Sequence, residues 1–323
     1  MSSALAIMVT AGLTATACGL LGPFMVLRRT VLMADAVSHA VLPGIVLIYV
    51  LFHTRAPLPV IIGATIFAVL CVLCVEALRS SGLVKADAAI ALIFPALFSI
   101  GVLGINHYAS DIHLDLDSTI YGEIAFVPFR TIDVLGTELP QALLVIGTIA
   151  LLNAVLITVF WKPIKVSTFD PGFARTIGIR PQLVSQLLLV AVAITAVTAF
   201  EAVGAILVIT LLIVPAATAY LLTDRIWLMI TVTVAIGWTS AIAGYQGAAA
   251  LDASIAGAMG VIATACFTLA LVASPKYGLA ARFIQRRQGR RRTARSDHRR
   301  RNPVDRQDDV DAGRRSTSWK QGE

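Results

Sequence analysis

Residues 183–223 read LVSQLLLVAVAITAVTAFEAVGAILVITLLIVPAATAYLLT, and this stretch decides the fold. Glu201 is its only charged residue. The carboxylate divides it into two apolar runs, 183–200 and 202–223. Each is close to the ~20 residues that cross a ~30 Å hydrocarbon core. Neither run alternates between apolar and polar residues, as barrel strands would. A backbone in lipid has no water to bond, so both runs are expected to be helices.

Seven further segments of the same kind flank this pair, at about 4–27, 36–52, 58–78, 86–105, 139–160, 226–244 and 254–274. The expectation is an all-α, polytopic integral membrane protein of nine transmembrane helices, or eight if one is broken. The stretch 28–52 is where a broken helix is most expected. Composition agrees: 57% of the 323 residues are hydrophobic and 14% charged, against about 25% charged in soluble domains.

The net charge of +7 belongs to one end of the chain. From Lys276 onward there are 15 basic and 6 acidic residues, which leaves 11 basic and 13 acidic residues for the membrane body. Basic residues mark alternate loops: Arg28 and Arg29, Arg79 and Lys85, then Lys162, Lys165, Arg175 and Arg180, then Arg225 and the tail. By the positive-inside rule this predicts an outside N-terminus and a cytosolic C-terminus. Residues 1–282 are expected to form the transmembrane domain and 283–323 a basic, disordered cytosolic tail, attracted to anionic headgroups. No aromatic platform accompanies the tail, so nucleic-acid binding is not expected. The first segment lacks a basic flank and is expected to be retained as a span rather than cleaved.

Several chemistries are excluded. The sequence has no GxxxxGK[ST] phosphate loop, no HExxH and no GxSxG. An ATP-driven process would need a separate hydrolysing subunit. Cys18, Cys71, Cys74 and Cys266 all lie in apolar spans, and Cys71 and Cys74 form a CxxC with no second pair nearby. They read as small packing residues.

Polar groups where lipid should exclude them carry more information. In Met33-Ala34-Asp35-Ala36-Val37-Ser38-His39-Ala40-Val41-Leu42-Pro43-Gly44, Asp35 and His39 stand four apart, on one helix face. Carboxylate plus imidazole suits manganese, iron or zinc. Two ligands make half a site, and a symmetric second copy would make it four. Pro43-Gly44 should loosen or kink the helix. Alternatively Asp35 caps the helix while His39 packs against a neighbour, and spacing alone leaves both readings open.

A second feature is Phe169-Asp170-Pro171-Gly172-Phe173-Ala174-Arg175-Thr176-Ile177-Gly178-Ile179. Asp170 reads as an N-cap, Pro171 as the first helical residue and Gly178 as the stop. The short helix between them would set Phe173 and Ile177 on one face, either as a docking surface for a soluble partner or as an ordinary interfacial loop helix. Further out, Asp111, His113, Asp115 and Asp117 would share a face if extended. They form either an outer metal relay at the mouth, or a solvated acidic loop or docking surface for a binding protein. His53 and His107 sit near span ends and read as interfacial. Glu201 either lines an outer vestibule or is an exposed loop carboxylate.

The run from Val26 through Arg28-Arg29 and Asp35-xxx-His39-xxx-Pro43-Gly44 resembles the permease subunit of bacterial ABC importers for manganese, zinc and iron. The Phe169–Gly178 segment and the LLIVPAATA run, Leu211–Ala219, add to the likeness, which spans about residues 4–280. The resemblance implies two permease subunits in the bacterial inner membrane, as a homodimer or with a paralogue. An ATP-binding subunit would sit on the cytosolic side, and an extracytoplasmic binding protein would deliver the metal. It implies a metal site at Asp35 and His39, and ATPase coupling through Phe169, Asp170, Pro171, Phe173, Arg175 and Gly178. On this reading the chain is a transporter subunit, not an enzyme, with no permanent cofactor and with Mn2+, Zn2+ or Fe2+ as cargo. Manganese is favoured for the hard oxygen ligands. Two alternatives are a related ABC permease for metal chelates or organic cofactors, which needs no ligand pair, and an ion-gradient-driven divalent carrier, which needs no docking helix.

Overall fold

The computed structural model describes residues 2–53, 57–108, 124–134 and 137–274. Their order is α1 (Ser3–Arg28), α2 (Leu32–Ala40), α3 (Leu42–Phe52), α4 (Pro57–Ser80), α5 (Ala86–Tyr108), a 3-10 helix (Ile124–Phe129), β1 (Thr131–Val134), β2 (Thr137–Pro140), α6 (Gln141–Val159), α7 (Trp161–Phe169), α8 (Pro171–Thr176), α9 (Pro181–Val203), α10 (Ala205–Leu222), α11 (Ile226–Leu251) and α12 (Ile255–Ala273). Nine stretches among the described residues are long and apolar enough to cross a membrane, with α2 and α3 together making one. Met1–Leu269 form one compact unit. The second unit is described only as far as Ser274, one residue past α12.

The expected nine spans are present, and their boundaries move for identifiable reasons. The eighth was expected to stop near residue 244, where Tyr245-Gln246 lowers hydropathy. The helix runs on to Leu251 through an alanine run, and Asp252 closes it in the left-handed conformation at φ 48°. Alanine sustains a helix whatever its burial. Ahead of α6, β1 and β2 pair antiparallel, with Thr131 opposite Pro140 and Val134 opposite Thr137. This hairpin and the 3-10 helix are the only non-α elements of the all-α fold among the described residues.

Helix α1 begins at Ser2, whose Oγ accepts the Leu5 amide at 3.4 Å. It packs against α6, α10 and α11. Small residues set that closeness, since without a hydrophobic drive between helices in lipid, packing depends on near approach. A Cβ on Gly22 would strike the Leu212 carbonyl of α10. Buried polar contacts fix the register. Asn153 of α6 donates to the Ala17 carbonyl at 3.2 Å and to Thr195 Oγ1 of α9 at 2.8 Å. Trp238 Nε1 of α11 donates to Thr16 Oγ1 at 3.0 Å. Helix α9 bridges to the other half, touching α4 and α2.

The α2–α3 span is broken, and at Val41 rather than at Pro43-Gly44. Pro43 lies in the first turn of α3 and has no N–H to offer the His39 carbonyl. Gly44 N and Ile45 N both donate to the Val41 carbonyl, at 3.0 and 3.1 Å. Gly44 serves close packing: a Cβ there would strike the Gly63 carbonyl of α4.

Candidate metal-transport site

Helix α2 is short and inverted relative to lipid. Of residues 32–40, only Leu32, Asp35 and His39 are exposed; the apolar ones and Ser38 are buried in the protein. The three positions repeat at i, i+3 and i+7, one helical stripe. Elements α4, α5 and α9 cover the rest of α2. A carboxylate and an imidazole facing hydrocarbon would be costly, so this stripe faces water or another protein surface.

His39 Nε2 lies 3.9 Å from Asp35 Oδ1, with 51% and 55% of the two side chains exposed. The gap is too long for a hydrogen bond, and two metal–ligand bonds of ~2.0–2.2 Å reach across it. Val31 stands at the N-cap of α2, with no side-chain cap, so Asp35 does not close the helix start. The Ser38 hydroxyl donates to the Asp35 carbonyl at 2.6 Å, not to its carboxylate. His39 does touch a neighbour: its ring centroid lies 5.8 Å from Phe94 and 6.0 Å from Phe98, both on α5. Those rings stand beside the imidazole, about half of which stays exposed. The sequence offered one signal for them, their i, i+4 spacing about Pro95. Among the described residues no three His, Cys, Asp or Glu side chains come together. Among the described residues, one copy of the chain therefore offers Asp35 and His39 as a pair with no third such side chain beside them.

The Phe169–Gly178 segment has the expected construction. Asp170 Oδ1 accepts the Phe173 amide at 2.9 Å and Pro171 opens α8. Gly178 closes it at φ 82°, with Gly178 N donating to Arg175 O at 3.2 Å and Ile179 N to Ala174 O at 3.0 Å. That paired closure needs a left-handed residue, which glycine supplies without strain. Ala174 is buried, whereas Phe169, Phe173 and Ile177 are 57%, 55% and 50% exposed. Three large apolar side chains thus stand open beside a polar loop. Reasoning from the sequence missed α7, the helix that carries α8.

The other candidates are scattered. Asp111, His113, Asp115 and Asp117 lie outside the described residues, as does the tail 283–323. Glu201 lies in the last turn of α9, and its Oε1 sits 3.7 Å from Nη1 of Arg130, the residue just before β1, so it is an ion-paired helix carboxylate rather than an exposed loop one. His53 ends α3 at φ 49°, and His107 lies in the last turn of α5. Cys18 and Cys71 are buried, and all four thiols are free.

The fold, with nine candidate spans among the described residues, defines a multi-pass membrane protein. Residues 2–274 match the family model described as the ABC 3 transport family, and the chain belongs to that family. It is 39% identical over 280 residues to the manganese transport system membrane protein MntD of Bacillus subtilis, covering 86% of this chain and 95% of that one. It is 41% identical over 278 residues to the zinc transport system membrane protein TroD of Treponema pallidum, covering 86% and 76%. The solved structure of PsaBC from Streptococcus pneumoniae in complex with Fab superposes with a TM-score of 0.70 at 26% identity, over 86% of this chain and 94% of that one. Such permease relatives place the chain in the bacterial inner membrane as a multi-pass subunit, not an enzyme.

Proposed function

We propose that the chain is the permease subunit of an ATP-driven importer for divalent transition metals, with manganese favoured and zinc or iron as alternatives. One observation carries the reading: α2 buries its apolar residues other than Leu32 and turns Asp35 and His39 outward. In the assembled transporter two copies, or one copy and a related permease, bring these stripes together around the cargo. Two carboxylates and two imidazoles form a set of hard and borderline ligands suited to Mn2+, Zn2+ or Fe2+. The relatives named for manganese and for zinc support both cargoes.

The N-terminus lies outside and the basic ends of α1, α4 and α9 face the cytosol, where a separate ATP-binding subunit meets α8. A binding protein hands over the metal from outside. Movement driven by ATP then opens the Asp35–His39 site inward, as alternating access requires. A permease for chelates or organic cofactors would have no use for the outward ligand pair, and a gradient-driven carrier none for the exposed docking helix. The basic tail attracts anionic lipid.

Uptake of Mn2+ and Zn2+ by the complete complex, normalised to inserted protein, tests this. His39→Ala and Asp35→Ala should each remove most transport and most metal bound to purified complex, since either change deletes two of four ligands from a homodimer. Normal uptake per molecule in both variants would sink the site.

A further inference from the structure

We infer that Arg28 is a positioning residue that clasps the coupling helix to the metal-bearing helix, so that movement of one is delivered to the other; the inference rests on the transport reading above. Arg28 is the last residue of α1. Its Nε donates to Thr168 Oγ1 at 3.1 Å and its Nη2 to Ser167 Oγ at 2.7 Å. Ser167 and Thr168 lie in the last turn of α7, with only Phe169 between Thr168 and Asp170, the cap of α8. Both hydroxyls donate onward to the Ile164 carbonyl, at 3.1 and 2.7 Å. Their protons are thus committed there and their lone pairs are free for the guanidinium. Ser167 and Ile164 are buried, so the contact is built into the protein.

The other side of Arg28 is equally short of slack. Arg29 closes α1 in the left-handed conformation at φ 57°, with Arg29 N donating to Val26 O at 3.2 Å and Thr30 N to Met25 O at 3.0 Å. Met33 N then donates to the Thr30 carbonyl at 3.1 Å, starting α2. Six residues separate Arg28 from Asp35, and hydrogen-bonded turns run through them. Glu76 and Arg79 form an ion pair near the end of α4. That pair is held by bonds of 2.9 and 2.6 Å, and α4 packs on α2. A displacement of α8 therefore reaches the α1–α2 turn through two parallel donors of one rigid fork. Lysine cannot reproduce that geometry.

The test uses the whole complex, permease with its ATP-binding subunit and binding protein, reconstituted in liposomes with Mn2+. The readout is metal imported per ATP hydrolysed, alongside metal bound per complex. Arg28→Gln and the double change Ser167→Ala with Thr168→Val should keep bound metal and ATP hydrolysis while imported metal per ATP falls about tenfold, the scale of one lost charge-assisted hydrogen bond. Arg28→Lys should fall between, and Thr168→Ser, which keeps the hydroxyl, should match the wild type. An unchanged ratio in both disruptive variants overturns the clasp. So does loss of inserted protein or bound metal in both, which would make the contact a matter of folding alone. A wild-type complex that hydrolyses ATP yet moves neither Mn2+ nor Zn2+ would instead overturn the transport reading itself.

Discussion

At the scale of single residues, the contrast between Gly44 and Gly247 shows how differently one residue type is used. A Cβ on Gly44 meets the Gly63 carbonyl, whereas one on Gly247 meets nothing within 4 Å. Gly44→Ala should therefore force α3 and α4 apart and cost about 1–3 kcal/mol, the usual scale of overpacking. Gly247→Ala should be neutral or slightly stabilising, since alanine favours helix by ~1 kcal/mol. Thermal unfolding of the two purified variants in one detergent decides it; equal midpoints would remove the close contact. The sequence marked Gly44 as part of a loosened helix, but it could not show which backbone lay opposite. The same limit applied to His39. Its spacing from Asp35 put both on one face, while Phe94 and Phe98 come from a span about 55 residues away. Arg28 was legible only as a charge that orients the chain, because its partners Ser167 and Thr168 are 139 and 140 residues distant.

At the scale of elements, helices with strong punctuation were legible and weakly patterned ones were not. Asp170-Pro171 and Gly178 bracket α8 as their chemistry requires. The 3-10 helix and the hairpin were missed because strands of four residues are too short to show alternation. Helix α7 was missed because Lys162, Pro163 and Lys165 interrupt any apolar period. The exposed face of α8 yields a prediction for the element as a whole. Phe173→Asp should leave α8 folded, since Asp170 still caps it, yet remove the apolar contact offered to the ATP-binding subunit. Gly178→Val attacks the same helix from its end, because a β-branched residue in the left-handed region costs about 1–2 kcal/mol. Both variants should insert normally and lose most of the stimulation that the permease gives its ATPase. Full stimulation in reconstituted complexes of either variant would take α8 out of the coupling role.

At the scale of the whole molecule, exposure has to be read against lipid. Large apolar side chains such as Val261, 68% exposed on α12, are at ease in hydrocarbon and call for no partner. The nine spans were legible for that reason: an apolar run of the right length has one stable form in a bilayer. What covers each span was not legible, because a lipid-facing leucine and a protein-facing one look alike in sequence. The tail is separate from this logic. Removing residues 290–323 should leave insertion and uptake close to wild type, and complete loss of uptake at normal protein level would assign the tail a direct role. The stripe Leu32, Asp35, His39 is the opposite case, since two of its three members are unsuited to lipid. If a second copy covers it by two-fold symmetry, each residue on the stripe lies near its own counterpart. Leu32 is 56% exposed on that face and is the member that can be changed without touching a proposed ligand. With Cys74 and Cys266 first replaced by alanine, Leu32→Cys should join two permease chains through a short bis-thiol reagent in native membranes. Val261→Cys, on the lipid side, should not. Added Mn2+ should leave the yield of linked dimer unchanged or raise it, because metal held by Asp35 and His39 from both copies draws the stripes together. A Leu32→Cys chain that transports metal but never links, while Val261→Cys does, would mean that the two copies meet through another face and that Asp35 and His39 line a path within each subunit.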